Sequence, residues 1–106
     1  MDNRFLENLI KVEYVSSGRF LSSDQWIHPK RVIDSYEIIY VLDGCLYIQE
    51  EQERFKAVKG DMLLLEPGKL HFGYRESTGK TSFYWLHFLD PSLVAIRTLR
   101  KFTPIE

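Results

Sequence analysis

Arg31, Glu37 and His71 are side chains of this sequence whose types suit the recognition of a polar molecule. If the chain is extended from Arg31 to Val41, alternation places Arg31 and Glu37 on one side of the strand. A guanidinium donates to carboxylates or hydroxyls, and a carboxylate accepts from hydroxyls. A charge among Ile and Val residues is costly unless it is paired. We therefore expect either a structural ion pair between Arg31 and Glu37 or a shared role in binding a polar ligand.

His71 follows the turn Glu66-Pro67-Gly68, where the entrance of a strand would aim its imidazole into the same cavity. A purely structural histidine is the alternative at this position. His28 and His87 lie in no comparable turn, and we expect them to be incidental. The three histidines also show no spacing typical of metal ligands.

The aromatic residues of the predicted strands suit core packing or an interface, and some of them could instead stack on a sugar ring. Among them we assign Tyr40 and Trp85 to the ligand site. The set considered is Tyr36, Tyr40, Tyr47, Phe83, Tyr84 and Trp85.

The sequence carries no pattern typical of an enzyme. A catalytic transition-metal site usually needs three protein ligands, and the inward-facing set offers only Glu37 and His71. There is no GxSxG turn, and Cys45 beside a glycine is typical of ordinary packing. We therefore expect no catalytic residues, no cofactor and no bound metal.

Bulk composition indicates one soluble cytoplasmic domain. A chain of 106 residues with 44% hydrophobic content can form a single core, and a net charge of -1 argues against direct DNA binding. One cysteine and no opening signal sequence fit a reducing cytoplasm. The longest apolar runs, such as Met62 to Leu65, are too short to span a membrane.

The pattern of aromatic and β-branched residues between glycines and prolines predicts an all-β antiparallel barrel or jelly roll. We expect Gly18 to interrupt the first strand and Pro29 to disturb the second. Asp43-Gly44 is predicted to be a hairpin turn that returns the chain antiparallel to the preceding strand. The predicted strands are Leu9 to Val15, Gln25 to Ile33, Tyr36 to Leu42, Cys45 to Gln49, Arg54 to Val58, Met62 to Leu65, His71 to Tyr74 and Thr81 to Phe88.

The sequence does not decide between helix and strand for the tail after the last predicted strand. Asp90-Pro91 stops that strand and can also begin a helix with Leu93, Ile96 and Leu99 at helical spacing. No repeat or Gly/Ser-rich linker divides the chain, so residues 1–106 are predicted to be one domain, with 91–106 as the possible start of a connection.

Three linked segments, 25–31, 34–44 and 60–71, together with 84–88, resemble the N-terminal domain of AraC-family transcription regulators. The resemblance covers about residues 25 to 88 and depends on the order and spacing of the motifs. It implies a cupin-like barrel, or double-stranded β-helix, that binds a small effector, often a sugar, and supports dimerisation. It further implies that DNA is bound by a separate C-terminal pair of helix-turn-helix motifs, which this sequence lacks.

The resemblance also bears on metal binding. Metal-binding cupins pair two histidines and a glutamate in a first motif with one histidine in a second. Arg31 and Ile33 occupy the two histidine positions here, whereas Glu37 and His71 match the other two. The sequence therefore keeps the cupin motifs but has only two of the four metal-binding residues, which favours sensing over catalysis.

We therefore predict an effector-sensing, dimerising domain of an AraC-family regulator that binds a small polar metabolite such as a sugar, with homodimers as the expected assembly. Two alternatives stay open. One is a stand-alone cupin enzyme, an isomerase or oxygenase, that uses His71, Glu37 and a third ligand. The other is a dimerisation barrel without an effector, whose exposed faces carry Tyr36 and Tyr40.

Overall fold

The computed structural model of this chain describes residues 12–91, 93–100 and 103–104. Within these ranges the chain forms eight strands followed by one short helix, α1 (Val94–Leu99). The predicted all-β class is confirmed. The strands are β1 (Glu13–Ser22), β2 (Arg31–Val32), β3 (Tyr36–Asp43), β4 (Cys45–Glu50), β5 (Glu53–Val58), β6 (Met62–Leu65), β7 (Leu70–Gly73) and β8 (Thr81–Leu89).

The strands form two four-stranded sheets in the orders β1-β8-β3-β6 and β2-β7-β4-β5, which we call the first and second sheets. Neighbouring strands are antiparallel in both sheets. Alternate residues of each strand point between the sheets, so that Ile39 and Val41 of β3 meet Ile48 of β4 in one core. The other buried members of this core are Leu46, Phe55, Ala57, Leu63, Leu65 and Phe83.

The predicted hairpin at Asp43-Gly44 is wrong. β3 pairs with β6 and β8, whereas β4 pairs with β5 and β7, so this turn carries the chain from one sheet to the other. Gly44 has a φ of 82°, and a Cβ there would lie 2.4 Å from the Lys80 carbonyl oxygen. Because β3 and β4 lie in facing sheets, the apolar residues before and after the turn enter the same core. Two strands paired in one hairpin would not face each other in this way.

Two expectations about the first strands also need correction. β1 runs through Gly18 without interruption, because the missing side chain leaves room for the indole of Trp85 on β8; a Cβ would lie 2.6 Å from Trp85 Cζ2. The stretch 25–33 contains only the short β2 and an isolated bridge from Trp26 to Ser77, with Pro29 between them. Of the predicted strand from Leu9 to Val15, residues 9–11 lie outside the described residues.

The outer surface of the first sheet is partly covered by α1. Ile96 of the helix packs with Leu64 and Phe88, and the backbone N–H of Ile96 donates to Asp90 Oδ2 at 2.9 Å. A carboxylate at the start of a helix satisfies an N–H that has no intrahelical partner. The open question about the tail is thus resolved in favour of helix for Val94–Leu99. No helix within the described ranges is long and apolar enough to cross a membrane.

Candidate ligand-binding site

A cavity of about 330 Å³ lies against the face of the first sheet that carries Glu37, Trp85 and His87. Its walls come from β1, β3, β8 and the segment before β3, so residues distant in sequence meet around it. The lining residues are Ser16, Phe20, Trp26, His28, Pro29, Arg31, Glu37, Phe83, Trp85 and His87.

Glu37 lies at the polar end of this cavity between two imidazoles. Nε2 of His87, on the neighbouring strand β8, hydrogen-bonds to Oε2 of Glu37 at 3.0 Å. Nε2 of His71, on β7 of the second sheet, lies 4.0 Å from Oε1. Burial raises the pKa of Glu37, while the charge and hydrogen bond of His87 act in the opposite direction. The carboxyl group is therefore held by a hydrogen bond from the first sheet, while the His71 ring of the second sheet lies close to it without a hydrogen bond.

His71 is fully buried, and neither of its ring nitrogens has a hydrogen-bond partner in the structure. Burial lowers the pKa of His71 to about 4, and the nearby charges of His28, Arg31 and His87 act in the same direction. The ring is therefore neutral at pH 7, with one donor and one acceptor nitrogen. A buried polar group without partners costs about 1–3 kcal/mol, so this ring is a position where a ligand or water would be stabilising.

His28 completes the polar end from the segment that precedes β2. Its ring lies 5.1 Å from that of His71, and Nδ1 lies 2.7 Å from the Pro29 carbonyl oxygen. Burial lowers the pKa of His28, the Pro29 hydrogen bond opposes this shift, and Arg31 adds to it. In the neutral ring Nδ1 therefore donates to Pro29 and Nε2 is left as an acceptor.

Aromatic rings form the remaining wall. The Phe20 ring lies 4.4 Å from Trp26 and 4.8 Å from Phe83, measured between centroids. The Trp85 ring meets His87 edge-on at 5.2 Å. Such a wall suits the apolar face of a small ring compound, with the polar groups at one end fixing its orientation.

Arg31 pairs in register with His71 but is itself exposed at the mouth of the cavity. The direct ion pair with Glu37, one of the two alternatives predicted, does not form: no nitrogen of Arg31 lies within 4.0 Å of that carboxylate, which is hydrogen-bonded to His87. The reason is that β2 ends at Val32 and belongs to the second sheet, so Arg31 and Glu37 face the cavity from different sheets.

Of the five residues assigned to the ligand site, four lie together. Arg31, Glu37 and Trp85 line the cavity, and His71 lies directly behind it. Tyr40 does not join them: it is 43% exposed on the outer surface of the first sheet, where it is paired in register with Tyr84. Alternation along β3 explains this, because Tyr40 is an odd number of residues from Glu37.

Sequence reasoning missed Trp26, His28 and His87. His87 could have been found by its strand parity, since it is two residues beyond Trp85 and shares that residue's face. No comparable signal identifies His28, because it lies in an irregular segment around Pro29. Within the described ranges, no group of three His, Cys, Asp or Glu side chains is placed to hold a metal ion.

A second, smaller cavity of about 60 Å³ lies beneath the end of α1, lined by residues that include Glu50, Glu66 and Arg100. Glu50 is almost fully buried, and its Oε2 accepts a hydrogen bond from the Glu66 backbone N–H at 2.6 Å. Burial raises the pKa of Glu50 to about 7. The guanidinium of Arg100 forms an ion pair with the Glu66 side chain.

The two packed sheets have a cupin-type fold. A cupin superfamily protein of Desulfitobacterium hafniense has the same fold with a TM-score of 0.60 and 14% identity, over 76% of this chain and 78% of that one. The Schizosaccharomyces pombe Cnp3 cupin domain is similar with a TM-score of 0.60 and 11% identity, over 88% of this chain and 72% of that one. A predicted oxalate decarboxylase of Thermotoga maritima is similar with a TM-score of 0.61 and 14% identity, over 84% of this chain and 75% of that one.

The chain belongs to the AraC-like ligand binding domain family, whose model matches residues 13–99. The uncharacterized HTH-type transcriptional regulator YisR of Bacillus subtilis is 39% identical over 75 residues, which cover 71% of this chain. The matched part is 26% of that regulator, so this chain spans about a quarter of its relative's length. The resemblance stated from the sequence is confirmed.

Proposed function

We propose that this chain is the effector-sensing domain of an AraC-family transcription regulator and that its effector, a small polar metabolite such as a sugar, binds in the cavity beside Glu37. The observation that carries the proposal is the fully buried, unpartnered ring of His71 next to an aromatic-walled cavity. Family membership supports a binding role, and the proposal contains no catalytic step.

The cavity suits a ring compound with hydrogen-bonding substituents. Hydroxyl groups both donate and accept, so they can donate to Glu37 and His28 Nε2 and accept from Arg31. The Trp26 and Phe83 rings are placed to cover the apolar face of such a molecule. Effector binding would act by stabilising one arrangement of the domain over another.

In this proposal residues 1–106 form one cytoplasmic sensor domain, and 91–106 lead toward a helix-turn-helix domain that alone binds DNA. The helix-turn-helix class of the relative YisR supports this arrangement. The even charge balance of the present chain, with 14 basic and 15 acidic residues, also assigns DNA binding to another part of the protein.

We propose that the parent protein is a homodimer. Large apolar side chains exposed on the outer surface of the first sheet, including Leu21, Tyr40 and Tyr84, support self-association. Sedimentation velocity over a range of concentrations tests this. Monomers throughout that range would overturn self-association by this domain.

Effector binding is tested by isothermal titration calorimetry with neutral monosaccharides, starting with L-arabinose and D-galactose. We expect Glu37→Ala to weaken binding about 10-fold or more, because hydrogen bonds to a charged group contribute about 1.5–3 kcal/mol. Tyr40→Ala is the matched control on the same strand, and it should leave binding unchanged. Equal effects of the two variants would contradict the assigned cavity.

The enzyme alternative is separated by the metal content of the purified chain. Stoichiometric iron, manganese or zinc, measured by mass spectrometry of the purified protein, would overturn the binding-only proposal. Substoichiometric metal together with sugar binding would support it.

A further inference from the structure

We propose that the effector carries a carboxylate, which pairs with Arg31 at the cavity mouth while the effector's ring lies against the aromatic wall. This inference rests on the proposed effector-binding role and narrows the effector to ring-containing acids. It follows from three features of the same cavity: its charges, its imidazoles and its wall.

The first feature is the imbalance of charge. Among the described residues that line the cavity, Glu37 is the only acidic one, and its carboxyl group is already hydrogen-bonded to His87. Arg31 lies at the mouth, and no described Asp or Glu has an oxygen within 4.0 Å of its guanidinium. A guanidinium recognises a carboxylate through two parallel hydrogen bonds, so an entering acid would supply the missing partner.

The second feature is the set of imidazoles around the polar end. His28 from the segment before β2, His71 from β7 and His87 from β8 all approach Glu37 or its neighbours. Together with Arg31, they are the charged or titratable groups that face Glu37 from the surrounding elements. His71 in its neutral form keeps one ring N–H without a hydrogen-bond partner, and an oxygen of an entering acid can accept from it, whereas an ammonium group cannot.

The third feature is the wall formed by Phe20, Trp26 and Phe83. It offers apolar area beside the charged end, which suits a ring that bears a single acidic group. A neutral polyol would leave Arg31 without an ionic partner, and an ammonium compound would meet like charge at the mouth. The aromatic wall beside Arg31 therefore favours a ring compound with an acidic group over a neutral polyol or an ammonium compound.

Calorimetry with two matched pairs of probes tests the inference. D-galacturonate is compared with D-galactose, and benzoate with benzamide, because each pair differs mainly by a carboxylate. We expect the acid of at least one pair to bind about 10-fold more tightly than its neutral partner, with an advantage that falls as salt is raised. If some probes bind but no acid binds more tightly than its neutral partner, the carboxylate inference is overturned and the proposed function is not. Failure of all four probes at millimolar concentration would overturn it together with the proposed function.

The contribution of Arg31 is tested by Arg31→Gln, which keeps hydrogen-bond donors and removes the charge. We expect the acid's affinity to fall about 10- to 100-fold while that of its neutral partner changes less than about 3-fold. Arg54→Gln is the matched control, since Arg54 is an exposed arginine of the second sheet that stacks on Tyr74. Equal losses for the acid and the neutral probe would contradict the assigned carboxylate contact.

Discussion

Glu37 and Glu50 are carboxyl groups buried to almost the same degree, 6% and 5% exposed, at two different places in the sandwich. Glu50 is held by a backbone N–H beneath α1, beside a cavity of about 60 Å³. Glu37 lies between the side chains of His87 and His71, beside a cavity of about 330 Å³. Burial alone therefore does not distinguish a structural carboxyl from one that is available to a ligand.

The difference between the two sites lies in the partners and in the space beside them. A backbone amide is fixed by the chain that carries it, here the residue just after β6, so Glu50 serves the fold. The groups near Glu37 are side chains rather than a fixed backbone amide, and one of them, His71, has no hydrogen-bond partner. Unsatisfied polar groups are costly for stability, and they are retained where a ligand uses them.

The largest expected effect tests the structural role of Glu50. Glu50→Ala leaves the backbone N–H of Glu66 without its acceptor, and we expect the free energy of unfolding to fall by about 1–3 kcal/mol. Urea denaturation at pH 4, where Glu50 is mostly protonated in both the folded and the unfolded state, measures the change. Glu53→Ala, at an exposed residue of the same cavity, is the control and should change it by less than about 0.5 kcal/mol. Similar losses for both variants would remove the contrast between the two sites.

The second prediction concerns pH. Because the pKa of Glu50 is about 7 in the folded protein and 4.5 in its ordinary state, folding favours the protonated carboxyl. Its stabilising contribution is complete below pH 4.5 and is lost as the pH rises through 7. Glu50→Gln imitates the protonated form, so its stability relative to wild type should increase between pH 5 and 8 by on the order of 2 kcal/mol.

Comparison of the two proteins at each pH cancels the contributions of Glu37, His28 and His71, whose pKa values are also shifted. Urea unfolding curves at pH 5, 6, 7 and 8 give the difference. A difference that is constant across this range would show that Glu50 titrates normally in the folded protein.

The smallest effect is expected at His71. His71→Leu replaces a buried ring without hydrogen-bond partners by an apolar group of similar size, and we expect a gain of about 1 kcal/mol in stability. Thermal unfolding measures it. His87→Leu is the contrasting variant: it removes the hydrogen-bond partner of Glu37 and should destabilise the chain. A loss of stability for His71→Leu would indicate that ordered water already satisfies the ring.

Strand and turn patterns were sufficient to predict the all-β class and most strand positions, whereas the family was predicted from the resemblance of three linked segments and 84–88 to its known members. The periodicity of two and the aromatic and β-branched residues define strands locally, as β3, β4 and β5 demonstrate, and a continuous apolar run defines β6. Which strands pair with each other is not decided by the local sequence. Asp43-Gly44 resembles a hairpin turn but leads from one sheet to the other, because the pairing of β3 with β6 and β8 depends on residues far along the chain.

The same division applies to the candidate site. The residue types of Arg31, Glu37 and Trp85 predicted a shared site, and all three line one cavity. The single extended strand assumed for Arg31 and Glu37 is broken between β2 and β3, so their shared parity was not the reason. Strict parity along β3 and β8 would have placed Tyr40 outside and His87 inside. Only the tertiary structure brought His28 to His71 and gave Glu37 imidazole partners in place of Arg31. The physical reason is that side-chain alternation is a property of one strand, whereas the meeting of two sheets depends on the packing of the whole core.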